Sequence, residues 1–391
     1  MVFSGKFIKN TLTALIAVFP LLSFANPDQD TLNIKAGSTA YTKEHAVQDE
    51  HAPQDKNDKI NAYIDHHLQD SHDFVFFSDE STGEHYGFPL PVIVFDDGLH
   101  VFSSARFHHG EEVAEVDGNY YAMHHGKIYK TDANGTMKFD EHGHAENEKP
   151  LDFSITKNVI TMLFVCVLMF LMFVGLAKSY KKGPLPTGFG RVLEPLIIFI
   201  RDEVAVPNIG EKKYRKYMGF LLTVFFFIWI LNLLGMTPLG VNVTGNISVT
   251  VCLALFTYFI TQFSANKDYW KHIFWMPDVP VPMKIILMPI EILGTLTKPF
   301  ALLIRLFANI TAGHVVIMSL IAMMFVGKNL VADMPISLGL TLFISVIELL
   351  VAFLQAFIFT MLSSLFIGMA VQDHHHEEDH DAHTEEEPII I

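Results

Sequence analysis

The stretch Lys298-Pro-Phe-Ala-Leu-Leu-Ile-Arg305-Leu-Phe-Ala-Asn309-Ile-Thr-Ala-Gly-His314 decides the fold, because it places an arginine deep inside a long apolar run. The run extends from about Met283 to Val326. An arginine at the centre of a membrane-spanning helix costs about 2.5–3.5 kcal/mol on insertion scales. The apolar run continues so far on both sides of Arg305 that its side chain cannot reach water at a helix end. Arg305 is therefore a candidate functional residue.

The composition predicts a membrane domain with solvated ends. The chain has 391 residues, 50% of them hydrophobic, and a net charge of -15. Residues 26–150 carry 24 acids and 9 bases, residues 151–372 carry 10 acids and 16 bases, and residues 373–387 carry 8 acids and no base. The basic part is the apolar part, which is typical of a domain embedded in the lipid bilayer with cationic cytoplasmic edges and disfavours nucleic acid as a partner. Cys166 and Cys252 lie in apolar runs, where we expect small buried hydrophobes rather than a disulfide.

Residues 1–25 have the layout of a secretory signal. Two lysines precede a short apolar stretch that ends at Phe24, and cleavage is expected after Ala25. The alternative is an uncleaved anchor, which the short apolar core and Pro20 disfavour. We expect a bacterial inner-membrane protein whose mature N-terminus faces the periplasm.

Residues 26–150 predict a small α+β periplasmic module. A polar lead-in is followed by helical spacing from Ile60 to Leu68, and then by alternating apolar patterns. The module holds 13 of the 20 histidines, but none has a metal-ligand spacing with supporting cysteines. A solvated surface is favoured over a metal site, so no metal and no cofactor are predicted. The predicted strands cover residues 91–95, 99–102, 119–123, 126–130 and 136–139.

Residues 151–372 predict an all-α, multi-pass membrane domain with five crossings. The connector from Lys178 to Lys216 carries nine Lys and Arg residues and is expected in the cytoplasm. Within it, an apolar face from Val192 to Ile200 predicts a helix lying on the membrane surface. Residues 373–391 form an acidic, His-rich cytoplasmic tail that cannot build a core. The predicted spans are residues 155–177, 217–234, 247–263, 283–326 and 336–371.

The last two spans are too long to cross the membrane upright. They hold about 44 and about 36 residues, whereas about 20 suffice. Arg305 lies roughly 31 Å of helix from the outer end at Val326. If Arg305 is near the bilayer midplane, about 15 Å deep, the helices incline by roughly 60°. The sequence therefore predicts two long, strongly tilted antiparallel helices.

Polar residues pair when counted from a hairpin tip near Val331. Arg305 is 26 residues before the tip and Gln355 is 24 after it, while His314 and Glu348 are each 17 away. Each pair is expected at one level, with the His314 level roughly 10–13 Å nearer the periplasm. Asn309 follows Arg305 by four residues and shares its face.

These side chains differ in the chemistry that they offer. An imidazole and a carboxylate exchange protons near neutral pH, whereas an arginine stays charged and only attracts, repels or pairs. His314 with Glu348 is thus a candidate proton relay, or else a structural buried pair, and Arg305 is a barrier or a counter-ion. Glu291, roughly 20 Å of helix toward the cytoplasm, is a candidate for an inner pathway or an interfacial structural residue. Asn232 is equally consistent with an ion path and with a helix–helix hydrogen bond.

Several motifs in residues 151–372 together resemble subunit a of the F-type ATP synthase, the stator part of its membrane motor. The combination and its spacing are highly specific. The motifs are Asn208-Ile-Gly210, Asn232-Leu-Leu-Gly-Met-Thr-Pro238, Lys298-Pro with Arg305-Leu-Phe-Ala-Asn309 and Ala312-Gly313, then Glu348, and Leu354-Gln355-Ala-Phe-Ile358.

The resemblance implies a role for each residue. Arg305 is similar to the family's essential arginine facing the rotating c-ring, with Asn309 and Gln355 as its polar neighbours. His314 and Glu348 resemble the exchangeable pair of the periplasmic half-channel, with the His on the first helix and the Glu on the second, the reverse of many bacterial members. The implied partners are the c-ring, the peripheral-stalk b subunits and the bilayer. The family pattern offers no role for residues 26–150 or for the tail.

Two other function classes compete with this resemblance. A stand-alone proton-coupled transporter also uses intramembrane Arg, Glu and His, but it predicts internal repeats, and none is seen in the sequence. A periplasmic metal sensor with a membrane anchor predicts clustered ligands and leaves Arg305 unexplained. The chain itself has no Walker-type glycine loop for a nucleotide phosphate, so we do not expect it to be an enzyme on its own.

Overall fold

A computed structural model shows a strand-rich N-terminal module followed by a helical domain. The expected signal peptide, the helix at residues 60–68 and the acidic tail lie outside the described residues. The structure describes residues 70–79, 84–110, 112–124, 126–140, 145–183, 186, 188–237, 241–275, 280–326 and 330–372.

The module contains three small antiparallel sheets and a 3-10 helix, Ser104–Gly110. Four of the five predicted strands are confirmed within one residue at each end. The first sheet pairs β1 (Asp73–Asp79) with β2 (Glu84–Pro89); the second places β3 (Pro91–Phe95) between β4 (Leu99–Ser103) and β8 (Leu151–Asp152); the third has the order β5 (Ala114–Val116), β6 (Asn119–His124), β7 (Lys127–Thr131).

The fifth predicted strand, at residues 136–139, is wrong. Only Phe139 makes an isolated bridge, to Ala145. The free edge of β7 is instead covered by a later segment, because the Lys130 amide donates to the Glu148 carbonyl and the Asn147 side chain donates to the Lys130 carbonyl. The edge that the predicted strand would have used is already hydrogen-bonded.

A compact apolar core holds the second and third sheets together. Val92 and Val94 of β3 are fully buried, as alternation along a half-buried strand requires, and they share a cluster with Phe107 and Tyr121. The turn between β5 and β6 is Asp117-Gly118, both with positive φ, as a tight hairpin turn of this type demands.

The module continues directly into the first long helix. The Phe153 amide donates to the Ile93 carbonyl, and the Lys157 amide donates to the Ser71 carbonyl at 2.9 Å. At the helix start, the Asp70 carboxylate accepts from the Thr156 hydroxyl at 2.8 Å and from the Asn158 amide at 3.1 Å. A carboxylate in this position satisfies amides that the helix itself leaves without partners.

The helical domain contains eight helices, among the residues that the structure describes. Five of them correspond to the predicted spans and agree with the predicted bounds to within three residues, except that α1 ends five residues later and α8 begins six residues earlier than expected. The helices are α1 (Lys157–Lys182), α2 (Gly190–Phe199), α3 (Val206–Ile209, which follows a π-helical turn Ile200–Ala205), α4 (Tyr214–Gly235), α5 (Ile247–Ser264), α6 (Lys267–Phe274), α7 (Val281–Val326) and α8 (Leu330–Val371).

Five helices in the described part of the chain are long and apolar enough to cross a membrane, the number that the sequence predicts. They are α1, α4, α5, α7 and α8. The core of the domain surrounds α4, which packs against α1 and α8, with Phe225 and Phe226 fully buried. Cys166 is a free, buried thiol and Cys252 is also free, as expected from their apolar surroundings.

The two longest helices form the antiparallel pair that carries most of the motif residues. With 46 and 42 residues, α7 and α8 are about 69 and 63 Å long at the usual rise. The Asn208 side chain fixes the far end of α8, because its Nδ2 donates to the Ser364 hydroxyl at 2.8 Å. A Cβ on Gly368 would collide with the Asn208 carbonyl, so the two backbones touch there.

Candidate functional site

Arg305 is presented on the outer face of α7. Leu303 and Ile310, on the opposite side of the same helix, are 8% and 5% exposed, and they anchor α7 to its neighbours. Because successive helix residues turn by about 100°, this anchoring leaves the Arg305 side chain exposed. No described Asp or Glu forms an ion pair with its guanidinium.

Small and apolar residues surround Arg305 on that face. Ala301 and Ala308 are exposed beside it, and Ile304 is 44% exposed. Small side chains allow another helix to approach the α7 backbone closely. The face therefore offers one fixed positive charge within an otherwise apolar, shallow surface.

Asn309 links the exposed face of α7 to the buried face of α8. Its Nδ2 donates to Gln355 Oε1 at 2.8 Å, and Gln355 is 2% exposed. Asn309 is one helical turn from Arg305 and is itself exposed. The amide that contacts Gln355 is thus the neighbour of Arg305 on its face.

Glu348 and His314 lie on the inner side of the same helix pair. Glu348 is 8% exposed, and a Cβ placed on Gly313 would stand 2.6 Å from its Oε1. His314 is half-buried, and its Nε2 is 3.2 Å from the position that a Cβ on Gly235 of α4 would take. The two glycines make room for the two titratable side chains. No direct hydrogen bond joins His314 to Glu348.

Asn232 connects α4, α8 and the turn before α5. It is 3% exposed; its Oδ1 accepts from the Thr244 hydroxyl at 2.9 Å, and its Nδ2 donates to the Ala352 carbonyl at 3.3 Å. Of the two alternatives that the sequence left open for Asn232, the helix–helix hydrogen bond is present. Asn232 is also one turn of α4 before Gly235, which touches His314, so it lies beside the titratable pair.

Glu291 lies elsewhere on α7, fourteen residues before Arg305. It is half-buried and close enough to Tyr269 of α6 for its charge to act on that phenol. Burial is the main cause of the raised pKa of Tyr269, and the Glu291 charge adds to it. Glu291 is therefore in a different neighbourhood from His314 and Glu348.

A small cavity next to this neighbourhood is lined by Gln262 and Tyr269, which the sequence reasoning missed, together with Lys298. It measures about 10 Å³. Gln262 Nε2 donates to the Tyr269 hydroxyl at 3.5 Å, while the buried Gln262 Oε1 has no partner among the described residues. The available signal was Thr257 and Thr261, which put hydroxyls four residues apart on the face of α5 that lines the cavity.

The structure thus sorts the seven predicted site residues into three groups. Arg305, Asn309 and Gln355 form one; Asn232, His314 and Glu348 form the second; Glu291 stands apart. Among the described residues, no three His, Cys, Asp or Glu side chains come together as a metal site. The arrangement offers a fixed cation between two separate sets of polar and titratable groups.

Comparisons with known proteins cover both parts of the chain. Residues 159–368 match the family model described as ATP synthase A chain, which is more than half of the chain. Residues 63–153 match a model described as a domain of unknown function.

Several similar proteins carry the name ATP synthase subunit a or subunit a 2. The chain is 44% identical over 262 residues to ATP synthase subunit a 2 of Chlorobaculum tepidum, covering 64% of this chain and 73% of the relative. It is 41% identical over 309 residues to ATP synthase subunit a 2 of Prosthecochloris aestuarii, covering 74% and 93%. It is 47% identical over 236 residues to ATP synthase subunit a of Chlorobium phaeobacteroides strain BS1, covering 58% and 69%.

Proposed function

The chain belongs to the ATP synthase subunit a family, and from that premise we propose that it is the proton-translocating stator subunit of an F-type ATP synthase. It is a membrane subunit of that complex, with a role in ATP synthesis and proton transport. Our proposal assigns it two offset half-channels and the arginine that separates them. The nucleotide chemistry belongs to other subunits of the complex.

The presentation of Arg305 is the observation that carries the proposal. A guanidinium on an apolar, small-residue face of a membrane helix needs a counter-charge, and the described residues supply none. A carboxylate on a c-ring helix passing this face would meet the need. Close to Arg305 the carboxylate would ionise, because a nearby positive charge favours its charged form. The same fixed charge would repel a proton moving directly between the half-channels.

The outer half-channel is proposed to run past Asn232, His314 and Glu348. These three side chains converge from α4, α7 and α8, and two of them exchange protons. Because Gly235 and Gly313 have no side chains, they leave space for His314 and Glu348. A proton delivered by this group would neutralise the c-ring carboxylate before that carboxylate moves into the lipid.

The inner half-channel is proposed to leave by Glu291 and the small cavity of Gln262, Tyr269 and Lys298. Glu291 is roughly 20 Å of helix from Arg305 on the side opposite His314. The unpartnered Gln262 oxygen is a natural site for a bridging water. A proton released by the c-ring after almost a full turn would leave here.

The orientation and tilt of the helices are part of the proposal. The N-terminal module and the turn before α5 are assigned to the periplasm, and the basic residues of 178–216 to the cytoplasm. A helix of 46 residues spans a hydrocarbon core about 30 Å thick only if it is strongly inclined or projects far beyond it. We assign α7 and α8 a strong tilt, which lets both follow the curved surface of a c-ring.

The remaining partners are assigned to other faces. On α1, Phe164, Val167 and Leu171 are 57%, 58% and 61% exposed, a surface suited to lipid or to an apolar helix. We propose that the peripheral-stalk b subunits and the bilayer cover this side, away from Arg305.

The decisive experiment removes the Arg305 charge within the whole complex. Arg305→Ala is expected to lower ATP-driven proton pumping in membrane vesicles by about a hundredfold or more, the scale of losing a preorganised charge. Co-purification with the c-ring should persist, since the side chain is exposed. Arg191→Ala, an exposed arginine of α2, is the matched control and should pump normally.

The competing function is a stand-alone proton-coupled transporter. Isolation of this chain as a monomer that transports protons without a c-ring would overturn the motor assignment. Normal pumping by Arg305→Ala within an assembled complex would do the same. Family membership of the relatives, all of them subunit a, favours the motor.

A further inference from the structure

A cleft of about 250 Å³ separates the N-terminal module from the ends of α1 and α5. At about 30 Å³ per molecule it has room for roughly eight waters. Both sides contribute to it: the module supplies Asp70, His72 and Asp152, and the helices supply Asn158, Asn246 and Ser248. The module therefore lies on the same side of the helical domain as the start of α5.

A buried His–Asp pair stands in the wall of this cleft. His72 is 2% exposed, and its Nε2 is 3.0 Å from Asp152 Oδ2. Its other ring nitrogen, Nδ1, is buried without a hydrogen-bond partner among the described residues. Burying an imidazole nitrogen with no partner carries a free-energy penalty, and because Nδ1 is closed to solvent, a water relieves it only when the cleft widens.

The charges around His72 set its titration range. Burial by itself lowers the pKa of His72, but the hydrogen bond and charge of Asp152, with the charges of Asp70 and Asp73, outweigh burial and leave the pKa raised. Burial also raises the pKa of Asp70, against its hydrogen bonds from Asn158 and Thr156. Lys157, at the start of α1, acts on Asp70, and two further lysines, Lys127 and Lys149, line the same cleft.

The floor of the cleft leads toward the proposed outer half-channel. Asn246 caps α5 by accepting from the Ser248 amide at 2.9 Å, and both residues line the cleft. Two residues earlier, Thr244 donates to Asn232, which neighbours the His314 group. The polar side chains of Thr244, Asn246 and Ser248 therefore lie between the cleft and Asn232.

We propose that this cleft is the vestibule through which protons enter the outer half-channel, and that His72 with Asp152 exchanges protons there between bulk water and the path. The proposal rests on the proposed function and deepens it. When the cleft widens enough to admit water to Nδ1, the imidazole takes a proton there from a hydronium ion, which becomes water, while Asp152 holds the resulting cation. It returns the proton to a water on the inner side, so atoms and charge balance with no other reactant.

The first test blocks the cleft by chemical modification. Leu151 and Leu99 are exposed leucines on either edge of one sheet, both paired with Phe95, and of the two, Leu151 lines the cleft. Leu151→Cys and Leu99→Cys are each made in a chain carrying Cys166→Ala and Cys252→Ala. Each complex is then labelled with a bulky maleimide polymer in detergent and reconstituted into vesicles for ATP synthesis driven by an acid bath.

Labelling at Leu151→Cys is expected to lower the synthesis rate by about tenfold, whereas labelling at Leu99→Cys should leave it unchanged. Full labelling of Leu151→Cys with an undiminished rate would overturn the vestibule. Equal losses at both positions would also overturn it, because they would show a general effect of modifying the module.

The second test removes proton exchange without opening a gap. His72→Gln keeps a hydrogen-bonding side chain near Asp152 and cannot titrate; His100→Gln, in the pair of His100 with Asp117 at 2.8 Å, is the matched control elsewhere in the module. His72→Gln is expected to slow synthesis several-fold and to flatten its dependence on the outer pH between roughly 6 and 8. An unchanged rate and pH profile would refute the role of His72.

Arg305→Ala in the same preparation separates the two proposals. If Arg305→Ala stops synthesis while the cleft variants do not, the vestibule fails and the stator function stands. If Arg305→Ala has no effect, the stator function itself fails, whatever the cleft variants do.

Discussion

Arg305 and the His314 group lie on one pair of helices but in opposite settings. Around Arg305, α7 exposes a charge and small side chains to whatever lies outside the chain. Around His314, the same helix meets α4 and α8, and Glu348 and Asn232 are 8% and 3% exposed. One region is incomplete without a partner, and the other is enclosed by this chain's own backbone.

This difference predicts that mutations in the two regions have different effects. Changes at the exposed region are expected to affect coupling to a partner and to leave folding nearly unchanged. Changes at the enclosed region act on packing, hydrogen bonding and proton transfer together, because buried polar groups are costly when their partners are lost. The Asn309–Gln355 hydrogen bond joins the two regions.

The largest expected effect, after that of Arg305→Ala, comes from filling the space beside Glu348. In Gly313→Ala the new Cβ would stand 2.6 Å from Glu348 Oε1, so the carboxylate must move. We expect proton pumping to fall by about tenfold or more, because small misplacements of reacting groups cost rate steeply.

Gly294→Ala on the same helix is its control, since nothing lies within 4 Å of a Cβ there. It should pump normally, and both alanines should favour the helix by up to about 1 kcal/mol. Equal losses of pumping in the two variants would show that α7 needs glycine for flexibility. They would contradict the difference between the exposed region around Arg305 and the enclosed region around His314.

The next effect comes from the hydrogen bonds of Asn232. Asn232→Leu leaves the Thr244 hydroxyl without its acceptor and is expected to cost about 1–3 kcal/mol of stability, with a several-fold loss of pumping. Thermal unfolding in detergent and pumping in vesicles measure the two effects. Thr223→Val, whose hydroxyl bonds only within α4, is the control. A fully stable Asn232→Leu would place this residue outside the enclosed network.

A smaller effect is expected where the two regions meet. Asn309→Ala removes the donor to the buried Gln355 oxygen and should cost about 1 kcal/mol. Gln355→Leu in the same background should restore part of that stability, because it removes the unpaired oxygen. A double-mutant cycle read by thermal unfolding tests this, and additive losses would show that the bond does not couple the helices.

The smallest effect lies in the module, at an ion pair that does not line the cleft. The Lys130 ammonium, 2.8 Å away, is the main cause of the lowered pKa of Asp96, with a further hydrogen bond from the Tyr121 hydroxyl. A lowered carboxyl pKa gives stability that is present above the unfolded pKa near 4 and is lost as pH falls through the folded value.

Asp96→Asn should therefore weaken amide-exchange protection of β3 at pH 6 more than at low pH, with pumping unchanged. A difference between variant and parent that stays constant as the pH falls would contradict the ion pair. A pumping defect would contradict the placement of this ion pair outside the proton path.

Much of the fold was predictable because the signals are local. Long apolar runs predict the membrane helices, and the alternation of apolar and polar residues predicted four of the strands. The failure at residues 136–139 shows the limit, since the edge of β7 was taken by Asn147 and Glu148, which pattern alone does not reveal. The start of α8 was placed too late because Pro335 was read as part of the turn, although it lies inside the helix.

The sequence predicted which residues belong to the candidate site better than it predicted which residues those side chains contact. A charge in an apolar run singled out Arg305, and a helical repeat put Asn309 on its face. Gly235 against His314 and Gln262 beside Tyr269 were not foreseen, because glycine carries no chemical signal and an amide near a helix end is common.

The sequence by itself determined which residues carry charge into the membrane and how far apart they lie along each helix, since rise and rotation per residue are fixed by the backbone. Only the tertiary structure decided which side chains meet: Glu348 against Gly313, Asn232 between Thr244 and Ala352, His72 against Asp152. These contacts join residues 12 to 120 positions apart along the chain, and the rotation of each helix toward its neighbours is set by packing the whole domain at once.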